Sequence, residues 1–116
     1  MKIASLDAIP KIKVEMAGAE KASRQTPISR NDGAPNFSVR VFTLEPGGHT
    51  PHHRHPFEHV NFCIDGEGVV VDEGGRERPF RKGDFALILP DEKHQYRNAS
   101  KNRPLVFICA VPKEYE

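Results

Sequence analysis

Apolar residues fall along this chain in short alternating runs, with hardly any of the three-and-four spacing of an amphipathic helix. Val60, Phe62 and Ile64 alternate with Asn61 and Cys63, a period of two that predicts a half-buried strand entered from His59. Asn36 to Leu44 is a β-rich run leading into Glu45-Pro46-Gly47-Gly48, which predicts a turn. Val69 to Val71 and Glu77 to Phe80 flank the turn residues Asp72 to Gly75 and predict a hairpin. Phe85 to Leu89 and Leu105 to Val111 predict two further strands, ended by Pro90 and Pro112. Many short strands punctuated by Gly and Pro imply an all-β fold, closed or sandwiched and antiparallel, as in jelly rolls. Before Asn36 the pattern is weaker. Short apolar stretches mix there with Gly18, Pro27 and Asn31-Asp32-Gly33, so residues 1–35 are expected as loose strands or a helical turn, an arm packing on a barrel formed by residues 36–116.

Length and composition narrow the picture. A chain of 116 residues is one domain with a modest core, and metal binding or pairing would help it appreciably. Lys plus Arg number 17 against 16 Asp plus Glu, which gives no reason to expect nucleic acid or an acidic membrane as partner. Two cysteines, no apolar run of spanning length and no signal-like start lead to the expectation of a soluble cytoplasmic protein. No nucleophile elbow and no phosphate-cradling glycine loop is present, so any catalysis is expected from a metal.

The candidate ligands are His53, His55, His59 and His94. His53 and His55 are two apart, so on an extended strand their rings leave one face and can grip one ion, while Arg54 points away. His59 keeps the same parity. Imidazole is the commonest metal-binding side chain, and four neutral rings leave a divalent charge uncompensated, favouring oxygen-rich anionic ligands.

The spacing of these residues resembles the two motifs of the cupin superfamily. Gly47 is followed by five residues, then His53 and His55, three residues, His59, six residues and Gly66; His59 fills the slot where the motif has glutamate. The second motif is matched by Gly83, Asp84, Pro90, His94 and Asn98, with a turn one residue shorter and Glu92 in place of the customary glycine. Together with Ala34-Pro35-Asn36-Phe37, Pro56-Phe57-Glu58-His59 and Pro112-Lys113-Glu114, the pattern is similar to that of the small manganese-binding four-histidine cupins. The resemblance implies a single cupin β-barrel, a homodimer, and one octahedral metal per chain with two positions open to water or substrate. Manganese is the ion that it implies; ligand type alone also admits Fe, Ni, Cu and Zn. It further implies oxidative chemistry on a small unsaturated molecule, as an oxygenase or oxidative-cleavage enzyme. A non-catalytic ligand- or metal-binding module and a redox-neutral isomerase or lyase stand as alternatives.

Other residues carry weaker expectations. Glu58 is the rival ligand, although its strand parity favours a salt link or a hydrogen bond that orients an imidazole. His49 and His52 lie outside the motif and are expected in exposed turns. Asn61, Cys63, Phe85, Tyr96, Phe107 and Cys109 are the candidate pocket residues, Tyr96 with a possible catalytic role as proton donor. For Cys63, Phe85, Phe107 and Cys109 the plainer reading is core packing.

Overall fold

The long strand Phe37–His49 organises the molecule, because it pairs with three others along its length. The computed structural model describes residues 1–116. Nine strands form one antiparallel sheet: β1 (Ile12–Lys13), β2 (Glu20–Ile28), β3 (Phe37–His49), β4 (His59–Asp65), β5 (Glu67–Val71), β6 (Glu77–Arg81), β7 (Phe85–Ile88), β8 (Gln95–Asn98) and β9 (Leu105–Pro112). Their order is β6-β5-β8-β3-β9-β4-β7, with β2 added to β3 and β1 to β2. The sheet curls into a nearly closed barrel, the all-β architecture expected from the alternating pattern. Its only helical pieces are three-residue 3-10 turns at Leu6–Ala8, Arg30–Asp32 and Lys113–Tyr115.

One sheet face builds both core and cavity. Arg40, Phe42 and Leu44 on β3 oppose Cys109, Phe107 and Leu105 on β9, and Asn61 and Cys63 on β4 oppose Cys109 and Phe107. Leu44, Cys63, Leu105, Phe107 and Cys109 are almost fully buried. Phe107 stacks against Phe42 and Tyr96 and meets Phe80 edge-on, the geometry aromatic rings prefer. At the β4–β5 turn Gly66 has φ +88°, and a Cβ there would run into the carbonyl of Pro104, so the last glycine of the first motif is fixed sterically.

Three details differ from the sequence expectation. The residues expected as a turn at 45–48 lie inside β3, as a bulge. Leu44 pairs with Ala22 and His49 with Glu20, so β3 has a surplus of chain between those two pairs, and Gly47 at φ +79° takes up the bend. Strand β2 is nine residues long and its Gln25 donates to the carbonyls of Leu6 and Ile9, which binds the first turn of chain to the sheet. The apolar outer side of β4 and β7 is not packed: Val60, Phe85 and Leu87 are exposed, and Phe62 stacks only on Phe85. The inward face of β4 carries His59, Asn61 and Cys63 instead.

Candidate metal centre

Residues 50–58 do not form a strand, yet they bring two histidines inward. His53 and His94 exchange backbone hydrogen bonds, His53 N–H to His94 O at 3.0 Å and His94 N–H to His53 O at 2.9 Å. Asp91 N–H reaches His55 O at 2.7 Å. The two loops are thereby locked to each other, and this bridge replaces the strand parity expected for His53 and His55. His59 opens β4, whose inward parity holds as expected.

The rings of His53, His55 and His94 gather at one centre, and His59 adjoins them through His94. The ligand nitrogens of His53, His55 and His94 lie within 4.8 Å of one another, and His59 Nε2 is 3.2 Å from His94 Nε2. Three of the four rings have a partner on the other nitrogen. His59 Nδ1 lies 2.6 Å from Asn61 Oδ1, His94 Nδ1 2.7 Å from Glu92 O, and His55 Nδ1 3.1 Å from Phe57 O. Each of those oxygens accepts, so Nδ1 carries the proton and Nε2 presents a bare lone pair. Two lone pairs facing each other at 3.2 Å repel unless a cation lies between them.

A proton fills that role poorly. Burial pushes the His59 ring down to about 3, with neighbouring His94 adding to the effect, and burial pushes His94 down to about 4. His53 and His55 are also lowered, mainly by burial. Neutral imidazoles of His53, His55 and His94 converging at the floor of a cavity, with His59 beside His94, fit a divalent transition metal.

The floor opens into a cavity of about 400 Å³, a size that suits a small organic molecule. Its walls include Phe42, Phe57, Phe107 and Tyr115, together with Arg24 and Arg40. Phe57 stacks on His55 at 4.0 Å, and Tyr115 stacks on Phe57 at 4.0 Å. Tyr96 also lines the cavity; its hydroxyl is buried without a hydrogen-bond partner, and burial raises its pKa well above the usual value. Cys109 Sγ lies 3.5 Å from His59 Nδ1, and burial pushes that thiol up.

Of the candidate pocket residues, Asn61, Tyr96, Phe107 and Cys109 line this cavity. Cys63 and Phe85 do not. Cys63 is core, its thiol directed at the Asp65 carbonyl, because the inward face of β4 passes beneath the cavity by that point. Phe85 is exposed, since the apolar side of β7 faces outward. Glu58 is exposed with no side-chain partner, so the role of orienting an imidazole expected of it falls to Asn61 and to the carbonyls of Phe57 and Glu92. His52 is exposed and His49 half-buried, and neither lines the cavity. Sequence reasoning missed Arg24, Arg40, Phe57 and Tyr115. For Arg40 a signal exists: it shares strand parity with Phe42 in an otherwise apolar run.

Known proteins agree with this architecture. The cupin domain family, Cupin_2, matches residues 40–111. An L-ectoine synthase from Vibrio campbellii is 32% identical over 74 residues, which is 63% of this chain and 56% of that protein, so the match spans about half the length of the relative. A gentisate 1,2-dioxygenase from Ralstonia sp is 28% identical over 102 residues, covering 81% of this chain and 28% of the dioxygenase. The solved structure of the polyketide cyclase RemF from Streptomyces resistomycificus superposes with a TM-score of 0.91 at 25% identity, covering 97% of this chain and 80% of the cyclase. The match over most of the barrel, with the histidine floor lying within it, makes this chain a member of the cupin family.

Proposed function

We propose that this cupin is a metal-dependent enzyme whose four ligands are His53, His55, His59 and His94, and that it carries out oxidative chemistry on a planar, unsaturated small molecule. The observation that carries the reading is the pair of ring nitrogens, His59 Nε2 and His94 Nε2, facing each other at 3.2 Å beneath an aromatic-walled cavity. Bound Mn or Fe would supply a Lewis acid and redox chemistry with dioxygen. The chain's own residues do the rest. Asn61, Phe57 O and Glu92 O hold three rings in one tautomer. Phe42, Phe57 and Phe107 make the cavity wall apolar and exclude water. Tyr96, kept protonated by burial, has a hydroxyl with no hydrogen-bond partner at the cavity and would hydrogen-bond a substrate oxygen.

The lack of a free base supports the oxidative reading. The only carboxylate lining the cavity is Glu116, and its oxygens are occupied by Ser29, Ser38 and the Arg30 N–H. Similarity to a gentisate dioxygenase points the same way. A second reading, redox-neutral ring closure with the metal as Lewis acid, is favoured by the likeness to the polyketide cyclase over nearly the whole chain. Oxygen-electrode measurements on Mn- or Fe-loaded protein, across phenolic, enolic and alkenyl compounds, separate the two. Metal-dependent oxygen uptake with product supports the oxygenase; product formed equally well under argon supports ring closure; saturable binding without turnover leaves a ligand-binding module. Manganese as resident ion, a homodimer and a cytoplasmic location complete the proposal; the family resemblance supports the first two, and no helix is long and apolar enough to cross a membrane.

A further inference from the structure

The outside of the barrel has two unlike sides. On the β6-β5-β8 side Glu67 faces Arg81, and Arg97 forms an ion pair with Glu77, as suits a surface that meets water. On the other side the register lines up two rows across five strands, from β2 through β3, β9 and β4 to β7. One row is Gln25, Val41, Ile108, Phe62 and Phe85; the next is Ile28, Val39, Ala110, Val60 and Leu87. Neither row holds a charged residue.

Cover along these rows is graded. Gln25 donates to the carbonyls of Leu6 and Ile9, so the first turn of chain lies over that end, and Val41 is only 4% exposed. Past β9 the cover stops. Val60 is 45%, Leu87 58% and Phe85 74% exposed, and Leu89, just beyond β7, is 51% exposed. The Phe62 ring packs against Phe85 with 4.4 Å between centroids, and β7 ends the sheet.

Four side chains this exposed present on the order of 500 Å² of apolar surface, near the top of the roughly 300–600 Å² typical of the largest patch on a monomer. Half-buried Phe62, Ile108 and Ala110, with a polar rim, extend it toward the roughly 800 Å² that each partner gives to a stable interface. Charge is what selects a foreign partner and fixes its register, and these rows have none. A second copy needs none, because a two-fold contact sets one patch against itself and only shape must match. Twisted sheets pack in this way, apolar face to apolar face.

We propose that the outer face of β9, β4 and β7 is the interface with a second copy of this chain, centred on Val60, Phe62, Phe85 and Leu87. It gives the homodimer proposed above its surface and rests on that part of the reading alone; the metal and the oxidative chemistry do not enter.

The test is sedimentation equilibrium of the full chain at micromolar concentration. Wild type should sediment at twice the chain mass, and so should Ile12→Asp, which changes an exposed apolar residue on β1, off the patch. The double variant Phe85→Asp with Leu87→Asp should dissociate, with dimer affinity lower by about a hundredfold or more, because pairing would bury unpaired carboxylates. Both positions are exposed in the single chain, so its circular dichroism should match wild type. Leu87→Ser reads the same loss without a charge, at about tenfold. A wild-type dimer that survives these changes, or one that Ile12→Asp dissociates equally, would overturn the face and leave the homodimer standing. A monomeric wild type would remove both. A monomer that floats with phosphatidylcholine vesicles, and no longer does so in the double variant, would give the face to a lipid surface instead.

Discussion

The floor and the wall of the cavity are built in opposite ways. On the floor, three rings are held by an acceptor on one nitrogen, which leaves the other free to act as a ligand. On the wall, Arg40 and Tyr96 keep polar atoms buried without partners. The floor draws on one short segment, 53–59, and a single residue clamped to it by a backbone bridge. The wall draws on β2, β3, β9 and the final turn, which meet only through sheet register. Under the proposed function such a floor would hold the metal ion, and such a wall would be completed by the ligand. The difference teaches that the proposed metal site is set by local structure, while the wall is set by sheet register.

The comparison breaks most visibly at the floor. His94→Ala removes both a ligand and the ring that faces His59, so bound metal should fall from about one per chain to near zero by elemental analysis. His53 is the one ring with no partner on its other nitrogen, and orientation by such partners is worth about tenfold to a hundredfold in affinity. His53→Ala should therefore retain more metal than His94→Ala under the same competing chelator. Equal occupancy in wild type and His94→Ala would remove the four-histidine assignment.

That asymmetry also explains what the sequence could and could not reveal. Histidines at 53, 55 and 59 carry a spacing, and spacing survives in one dimension; so do the alternation in β4 and β9 and the turn at Asp72 to Gly75. Strand parity alone does not account for His53 and His55, since a loop bridged to His94 holds them and no strand does. Cys63 packs in the core, the plainer of its two expectations, whereas Phe85 meets neither the core nor the cavity, for a related reason. Period two identifies which residues share a face, but it does not say which face is inside or how far along the strand the cavity extends. Arg24 faces Phe42 because β2 pairs with β3, and Tyr115 reaches Phe57 because β9 delivers the chain end to the cavity mouth. Neither contact has a local signature.

Acid should sharpen the contrast, because the floor is built of rings held neutral by burial. In the folded metal-free chain His59 and His94 stay neutral until about pH 3 and 4, against 6.5 for an unperturbed ring. Between those values the unfolded chain binds protons that the folded chain refuses, so the unfolded state gains as pH falls. The stability conferred by neutral rings is full above pH 6.5 and declines toward pH 4, by at most about 1.4 kcal/mol per pH unit per ring. Urea midpoints of metal-free protein should follow that slope, and His59→Leu should flatten it. A wild-type profile that is flat between pH 6.5 and 4 would mean that the rings are not held neutral by burial.

A smaller effect is expected where the floor is merely oriented. Asn61 accepts from His59 Nδ1 at 2.6 Å, and its own Nδ2 is buried without a partner. Asn61→Leu removes that unpaired donor, so the fold should lose little. Freed of its acceptor, the His59 ring can rotate and exchange tautomers, and metal affinity should drop by about tenfold to a hundredfold. Chelator competition measures the drop. Affinity within twofold of wild type would show that Cys109 or the surrounding packing, and not Asn61, orients the ring.

The smallest expected effect tests whether wall and floor are independent. Tyr115 belongs to the wall, yet it stacks on Phe57, and Phe57 stacks on His55 with the rings only 7° from parallel. An aromatic pair of this kind contributes about 0.5–1.5 kcal/mol beyond the area it covers. Tyr115→Ala loosens one face of Phe57 and leaves the Phe57 carbonyl that fixes His55 in place, so manganese affinity should change by no more than a few-fold. Binding of a planar ligand should suffer more, because the ring that roofs the cavity is gone. A variant that loses its metal while keeping its ligand affinity would reverse the roles of the two regions, making the stack a support for His55 and leaving the roof without a part in binding.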